Sequence, residues 1–225
     1  MHIAIIPDGN RRWAKNNGIP AWEGHRRGAV KMEEMIEFAK RNGVSHLTAW
    51  GLSYSNVTNR TAKELTFLYG LFTESFRKMI KRHGAEGTNV KIKFIGEWGD
   101  IFPDDLKRLM SSIEKDTDGN ADFYLTFMLA YSGKREMVRA AERLRVSGEE
   151  ISEVTLKKNL MTADLPPVDL VIRTGGDPHW SDGFMMWDVA DAQFYFTDVL
   201  WPDFSVEEFE KVIDKHMSTE RRFGK

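Results

Sequence analysis

Short apolar runs alternate along the chain with segments in which apolar residues recur at helical spacing. Runs of about four to eight apolar residues between turn residues are typical of buried strands. The runs that predict strands are residues 2–6, 46–52, 90–95, 123–129, 168–172 and 193–196. Because strands and helices alternate, we predict an α/β fold with a mostly parallel central sheet of about six strands flanked by helices.

Amphipathic segments separate these runs and predict the helices. Their apolar positions recur within residues 29–39, 65–79, 104–113, 135–144 and 206–217. Gly43 is a stop signal after the first segment, and Asp104 or Asp105 is placed to cap the third. Since no repeat, low-complexity stretch or linker interrupts the 225 residues, we predict one domain spanning residues 1–225.

Composition excludes several classes of protein. The net charge of -2 argues against bulk binding of nucleic acid, which needs a basic face. The chain contains no run of about 18 apolar residues, which a membrane-spanning helix would need. Its apolar start also lacks the basic residues of a secretory signal. Cysteine is absent, which excludes disulfides and cysteine-based zinc sites or nucleophiles. Together these features predict a cytoplasmic protein.

Three polar segments follow predicted strands. They are residues 8–13, 53–60 and 173–181. In parallel sheets, ligands bind outside the carboxyl ends of the strands. We therefore expect the three segments to meet at one edge of the sheet and to form one site.

The first polar segment combines a carboxylate with two guanidinium groups. Asp8 is a candidate ligand for Mg2+, which prefers one or two carboxylates together with substrate phosphate oxygens. Gly9 allows close approach of the backbone, whose N–H groups suit an anion, and Arg12 is suited to grip a diphosphate. The alternative is an ordinary Asp-Gly turn with solvated arginines. The chain has no Walker-type loop and no dinucleotide glycine pattern.

The same segment resembles the Asp-Gly-Asn-Gly-Arg-Trp-Ala signature of the cis-prenyltransferases, the family that includes undecaprenyl and dehydrodolichyl diphosphate synthases. Similar motifs follow in the family's order at residues 24–29, 52–56, 169–176, 201–204 and 222–224. Several motifs in register are far more specific than any one alone. On these motifs the chain is identified as a member of that family over nearly its whole length.

The resemblance implies that the enzyme moves an isoprenyl group from an allylic diphosphate to an acceptor and releases diphosphate. Isopentenyl diphosphate is the family's usual acceptor, and Mg2+ on Asp8 is the implied cofactor. The implied catalytic residues are Asp8, His25 and Asn56. The implied substrate-binding residues are Gly9, Asn10, Arg11, Arg12, His25 and Ser53 for the allylic diphosphate, and Arg173, His179, Ser181, Arg222 and Gly224 for the acceptor.

The resemblance further implies a homodimer, in which Arg222 and Gly224 act across the interface. A long apolar product would bring the protein into peripheral contact with a membrane. An apolar slot must hold the prenyl tail. Its candidates are Leu65, Phe67, Leu68, Leu71, Phe72, Phe76 and Met79, although such stripes usually form core.

Each candidate also has a purely structural interpretation. His25 would be a loop histidine, and Ser53 and Asn56 would be turn residues. Arg173 would be an exposed arginine at a strand end, paired with Asp177. The basic carboxyl terminus would be a solvated tail.

The departures from the family pattern cluster in and after the acceptor segment, residues 173–183. His179 replaces a phosphate-binding arginine, and Gly183 adds a residue. Gln193 replaces a glutamate that shares the metal with the first-loop aspartate, and an amide is a weaker ligand for a hard cation. Asp188 and Asp191 are possible substitutes for that glutamate.

Two alternative functions follow from these departures. The first is prenyl transfer to another acceptor such as a hydroxyl compound, which His179, Asp177 or Asp182 would orient or deprotonate. The second is a non-catalytic partner subunit, against which the intact Asp8 and Asn10 argue.

Overall fold

The computed structural model of the chain describes residues 1–83, 89–119 and 121–218. Its strands are β1 (His2–Ile6), β2 (His46–Ser53), β3 (Val90–Ile95), β4 (Phe123–Tyr131), β5 (Leu170–Arg173) and β6 (Gln193–Phe196). They form one sheet in the order β3-β4-β2-β1-β5-β6, and every neighbouring pair is parallel. The predicted fold class is confirmed, and each strand lies within two residues of its predicted bounds.

In the part of the chain that the structure describes, nine α-helices flank the sheet. They are α1 (Asn10–Asn16), α2 (Ala21–Arg41), α3 (Tyr54–Asn59), α4 (Ala62–His83), α5 (Trp98–Ile101), α6 (Asp104–Asp116), α7 (Gly133–Ser147), α8 (Glu153–Lys158) and α9 (Val206–Ser218). The five amphipathic predictions correspond to α2, α4, α6, α7 and α9. No helix among the described residues is long and apolar enough to cross a membrane.

α1 begins within the polar segment 8–13, and α3 lies within the polar segment 53–60. One local prediction was wrong. Neither Asp104 nor Asp105 caps α6, because Pro103 is the N-cap residue and both carboxylates lie in the first turn. There they still complement the positive end of the helix dipole.

Both faces of the sheet are buried, as in most parallel sheets. On β1, Ile3 and Ile5 face a core that α2, α4, α6 and α9 cover, whereas Ala4 and Ile6 face the opposite side. That opposite side is covered by residues 161–168 and 184–192. The strands are therefore apolar at nearly every position, which is why continuous runs rather than alternation marked them in the sequence.

A bulge in β2 changes the direction of its last residues. Trp50 pairs with Met128 and Leu52 with Leu129, so that Gly51 is the extra residue. A side chain at Gly51 would place its Cβ 2.8 Å from Leu129 Cδ2. The bulge returns Leu52 to the same face as Ala49. Bulges commonly re-aim side chains beside active sites, and here the strand ends at Ser53.

Candidate active site

The ends of β1 and β5 bring a carboxylate and a buried guanidinium together. Arg173 Nη2 lies 3.1 Å from Asp8 Oδ2, and Arg12 Nη2 lies 3.2 Å from Asp8 Oδ1. Arg173 is only 4% exposed. The interpretation of Arg173 as an exposed arginine paired with Asp177 is therefore wrong. The Asp8 side chain remains 37% exposed, so its carboxylate is accessible to a ligand.

The turns after β1 and β5 are locked to each other. The Thr174 hydroxyl donates to the Asp8 carbonyl at 2.8 Å, and Asp8 N–H donates to the same hydroxyl oxygen. Arg12 donates to the Gly175 carbonyl. A Cβ at Gly175 would lie 2.6 Å from Arg12 Nη2, and Gly175 has a φ of 96°. Glycine is thus required here to let Arg12 reach between Asp8 and the β5 turn.

Two glycines of α2 let it approach α1 closely. A Cβ at Gly24 would lie 2.0 Å from the Asn10 carbonyl oxygen, and one at Gly28 would lie 2.3 Å from Asn10 Oδ1. The Gly-x-x-x-Gly spacing of this motif places both glycines on one face of the helix. His25 lies between them in sequence, and its imidazole lies near the first turn of α4.

His25 is a mostly buried imidazole that is neutral at pH 7. Its Nε2 lies 4.0 Å from Glu64 Oε1 on α4. Burial, together with the nearby positive charges of Arg60 and Arg11, lowers the pKa of His25 to about 4. The interpretation as a loop histidine is wrong, because His25 lies within α2. At neutral pH it therefore contributes hydrogen bonding rather than charge.

Arg60 is a site residue that the sequence analysis did not single out. It follows α3, where the chain is extended, and its Nη1 lies 3.4 Å from Glu64 Oε1. Burial lowers the pKa of Arg60, with a further lowering from Arg11. Its position at the end of the polar segment 53–60 was the only signal for it. The direction of its side chain depends on the break between α3 and α4, which no periodicity predicts.

A pocket of about 870 Å³ opens beside these groups. Its apolar wall includes Leu68, Leu71, Phe72, Phe76 and Met79 of α4, together with Phe127 of β4. Of the predicted slot residues, Leu65 and Phe67 do not line it. Leu68, Phe76 and Met79 also belong to the main core. These three residues thus contribute both to the wall of the pocket and to the core.

The mouth of the pocket contains buried polar atoms that lack a partner. Four described pocket residues contribute such atoms, namely Asn10 Oδ1, His25 Nε2, Arg60 Nε and Arg173 Nε. Native proteins satisfy nearly all buried polar groups, so each exception needs an explanation. Arg11, Arg12 and Lys15 also line the mouth. The arrangement suits an anionic head group with an apolar tail.

The acceptor segment lines the same pocket through Asp177, His179 and Ser181. Arg173 Nη1 donates to the His179 carbonyl at 2.8 Å, and His179 Nδ1 lies 2.8 Å from Asp177 Oδ1. The hydrogen bond from His179 lowers the pKa of Asp177. The structure therefore brings Arg173, His179 and Ser181 together, as the sequence predicted.

The other predicted site residues divide into two groups. Gly9, Asn10, Arg11, Arg12, His25, Ser53 and Asn56 line the pocket together with Asp8. Ser53 is the N-cap residue of α3, where its hydroxyl accepts the Asn56 N–H at 3.0 Å, and Asn56 lies within that helix rather than in a turn. Arg222 and Gly224 lie outside the described residues.

Gln193 does not lie beside Asp8 within one chain. It begins β6 and pairs with Leu170, whereas Phe196 pairs with Arg173 at the site end of the sheet. Three residues of strand separate these ends by roughly 10 Å. Gln193 Oε1 instead lies 2.9 Å from His216 Nδ1. The position of this amide follows from the register of an edge strand, which the sequence pattern does not reveal.

Asp188 is also not a substitute metal ligand. It is buried at 4% exposed on the opposite face of the sheet, where Lys157 binds it. Over residues 1–83, 89–119 and 121–218 no group of three or more His, Cys, Asp or Glu side chains is arranged to hold a metal.

The fold and the site together define a protein of the α/β class whose pocket is suited to an anionic ligand with an apolar tail. Residues 6–224 match the family model described as undecaprenyl diphosphate synthase. The chain is 37% identical to an isoprenyl transferase of Neisseria meningitidis over all of its own length and 89% of that protein. It is also 37% identical to the ditrans,polycis-undecaprenyl-diphosphate synthase of Escherichia coli K12, with 99% and 89% of the two chains covered.

Among solved structures, the lavandulyl diphosphate synthase of Lavandula x intermedia in complex with dimethylallyl diphosphate is similar, with a TM-score of 0.92 and 29% identity. The match covers 100% of this chain and 98% of that one. The chain therefore belongs to the cis-prenyltransferase family, and it is a prenyltransferase. The family prediction from the sequence motifs is confirmed.

Proposed function

We propose that this prenyltransferase condenses an allylic prenyl diphosphate with isopentenyl diphosphate and releases diphosphate. The observation that carries the proposal is the position of Asp8 between Arg12 and Arg173, at the mouth of an apolar pocket with unpartnered polar atoms. The relatives support it, because the similar Escherichia coli protein is named for synthesis from farnesyl diphosphate. No relative compared above supports a hydroxyl acceptor or a silent subunit.

Mg2+ is the proposed cofactor, and Asp8 is the residue that would hold it. One accessible carboxylate is sufficient when the substrate supplies phosphate oxygens, because Mg2+ commonly uses one or two carboxylates in such sites. Asp177 lines the same pocket and is a second carboxylate within the site. When bound, Mg2+ stabilises the negative charge that develops on the leaving diphosphate.

The residues of the chain supply the remaining requirements of the reaction. Arg12 and Arg60 stabilise the diphosphate as the allylic C–O bond breaks, and the neutral His25 contributes a hydrogen bond. The apolar wall excludes water from the allylic cation. Arg173 and Ser181 hold isopentenyl diphosphate so that its double bond attacks the cation. A carbon–carbon bond forms and leaves a cation at C3 of the isopentenyl unit. C2 of that unit then loses a proton to the departing diphosphate, and the new double bond forms between C2 and C3.

Homodimerisation is also proposed. Phe194 and Phe196 lie on β6 at the edge of the sheet, where their rings stack at 5.9 Å and each side chain is 39% exposed. Exposed aromatic residues on an unpaired edge favour association with a second copy. The family resemblance implies that Arg222 and Gly224 act at the partner's acceptor site.

Peripheral contact with membranes is proposed for the loaded enzyme. Ile19 and Trp22 are exposed beside Ala21, which lines the pocket. Amphipathic aromatic side chains favour the interface of a bilayer. Co-sedimentation with phospholipid vesicles should increase when a long prenyl product is present, and Trp22→Ser should reduce it. Equal sedimentation of both proteins would contradict this contact.

The activity is tested by incubating purified protein with Mg2+ and labelled dimethylallyl, geranyl or farnesyl diphosphate, with and without isopentenyl diphosphate. Products that grow in five-carbon steps only with isopentenyl diphosphate support the proposal. Adducts with added alcohols, formed without elongation, would instead support the hydroxyl acceptor. Inactivity equal to that of Asp8→Asn would support the silent subunit.

A further inference from the structure

A second polar cluster lies at the carboxyl ends of β3 and β4, beside the pocket. Glu97 follows β3 and is only 7% exposed. Arg135, in the first turn of α7, binds its two carboxylate oxygens through Nε at 2.7 Å and Nη2 at 2.8 Å. Arg139 donates to the same carboxylate at 2.9 Å. A bidentate pair of this kind fixes the plane of the Arg135 guanidinium.

The fixed guanidinium supports Tyr54, the first residue of α3. Arg135 Cζ lies 3.8 Å from the centroid of the Tyr54 ring, in the geometry of a cation over an aromatic face. No residue of α3 is buried. Val57 packs on the main core from one side. The contact between Tyr54 and Arg135 therefore secures the first turn of a helix that has little other packing.

The position of α3 matters because it carries part of the pocket. Ser53, Ser55 and Asn56 line the pocket, whereas Tyr54 and Arg135 do not. The Ser53 hydroxyl lies 3.0 Å from both the Asn56 nitrogen and Ser55 Oγ. A shift of the first turn of α3 would consequently move all three polar side chains together.

Arg135 also lies close to the acceptor segment. The pKa of Arg135 is raised chiefly by its hydrogen bond to Glu97, with a smaller contribution from the charge of Asp182. Two residues before Arg135, a Cβ at Gly133 would lie 1.8 Å from the Gly183 carbonyl oxygen. The start of α7 thus contacts the acceptor segment on one side and supports α3 on the other.

We propose that Arg135 is a positioning residue for prenyl transfer, which acts through Tyr54 to fix Ser53 and Asn56 against the bound diphosphate. The proposal rests on the proposed function, because it assigns both side chains to the substrate. Glu97 holds Arg135 in place, and Arg139 serves only to satisfy Glu97.

A matched pair of substitutions separates the contribution of the aromatic ring of Tyr54 from that of its hydroxyl. Tyr54→Phe keeps an aromatic face over Arg135, and Tyr54→Leu removes it. We expect Tyr54→Leu to raise KM for farnesyl diphosphate roughly 3- to 30-fold, and Tyr54→Phe to stay within about twofold of the wild type. Arg135→Gln should reproduce Tyr54→Leu. Arg139→Gln is the control and should leave KM unchanged.

Hydrogen exchange of the backbone amides of residues 53–59 provides a readout that does not require turnover. Exchange should be faster in Tyr54→Leu and Arg135→Gln, and unchanged in Tyr54→Phe and Arg139→Gln. Equal KM and equal exchange in Tyr54→Leu and Tyr54→Phe would overturn the proposal. A lower kcat with unchanged KM and unchanged exchange would also overturn it, because neither the binding of the diphosphate nor the order of α3 would then depend on the contact between Tyr54 and Arg135. Inactive wild-type protein would count against the proposed function, whereas the exchange data would still test Arg135.

Discussion

Arg173 Nη2 lies 3.1 Å from Asp8 Oδ2 although the two residues are 165 positions apart in the chain. This ion pair joins the ends of β1 and β5, which are neighbours in the sheet. Arg173 also holds the main-chain oxygen of His179. One buried guanidinium thus connects the carboxylate of the donor side with the backbone of the acceptor side.

The first prediction concerns this guanidinium. Arg173→Lys keeps the charge but loses the planar fork that reaches both partners. Loss of a desolvated charge-assisted contact costs about 2 kcal/mol or more, so KM for isopentenyl diphosphate should rise at least roughly 30-fold. Steady-state kinetics with varied isopentenyl diphosphate measures this. Arg108→Lys, at an exposed position on α6, is the control. Equal KM values for the two variants would contradict the assignment.

The second prediction uses two glycines in helices. Gly24→Ala places a Cβ against the Asn10 backbone and should destabilise the protein by about 1–3 kcal/mol. At Gly70 of α4 a Cβ meets no atom within 4 Å, so Gly70→Ala should stabilise it by about 0.5–1 kcal/mol. Urea unfolding of both variants measures the difference. Similar free energies of unfolding would show that α1 does not press on α2 at Gly24.

The third prediction concerns the wall of the pocket. Phe76 lines the pocket. Phe94 does not line it but packs on the Phe76 ring, with 4.8 Å between the two ring centroids. Phe76→Leu removes volume from the wall and should shift the products toward longer chains. Phe94→Leu should destabilise the fold by a similar amount, on the order of 1–2 kcal/mol, without changing product length. Product masses under matched conditions decide the point. An unchanged distribution in Phe76→Leu would exclude this part of the pocket from tail binding.

The fourth prediction is a dependence of stability on pH. His2 is buried between the Pro166 carbonyl and the Thr48 hydroxyl, and burial lowers its pKa to about 4. An unfolded histidine takes up a proton below about pH 6.5, whereas folded His2 stays neutral until about pH 4. The contribution of His2 to the free energy of unfolding is therefore fully present above pH 6.5. It is lost between pH 6.5 and pH 4, which lowers the free energy of unfolding by up to roughly 3 kcal/mol.

His2→Gln tests this dependence because an amide does not titrate in that window. The free energy of unfolding should be lower than that of the wild type at pH 7, and its slope between pH 6.5 and pH 4 should be smaller. His25 retains its own contribution in both proteins, since burial and nearby arginines also lower its pKa to about 4. Parallel pH profiles for the two proteins would contradict the role of His2.

The sheet could be predicted because strands buried on both faces are apolar at nearly every position. Amphipathic helices such as α4 were equally visible. α1 and α3 were missed because they are short and polar, and their position depends on caps and on contacts such as that of Tyr54 with Arg135. The convergence of Asp8 and Arg173 followed from the parallel topology alone.

Other parts of the site depend on geometry that sequence spacing does not contain. Arg60 enters the pocket because the chain is extended between α3 and α4. Gln193 lies at the far end of β6 because of the register with β5. Phe76 belongs both to the core and to the pocket wall. The two interpretations of the apolar stripe on α4, as core and as prenyl slot, are therefore compatible.

The central claim is that the cationic mouth of this pocket binds the diphosphate of an allylic substrate. Calorimetric titration with farnesyl thiolodiphosphate, an analogue that resists ionisation, tests it directly. We expect saturable binding that weakens with salt, and affinity at least roughly tenfold lower in Arg60→Gln, since a buried charge-assisted contact is lost. Absence of binding to the folded wild-type protein, or equal affinity in Arg60→Gln, would contradict the account.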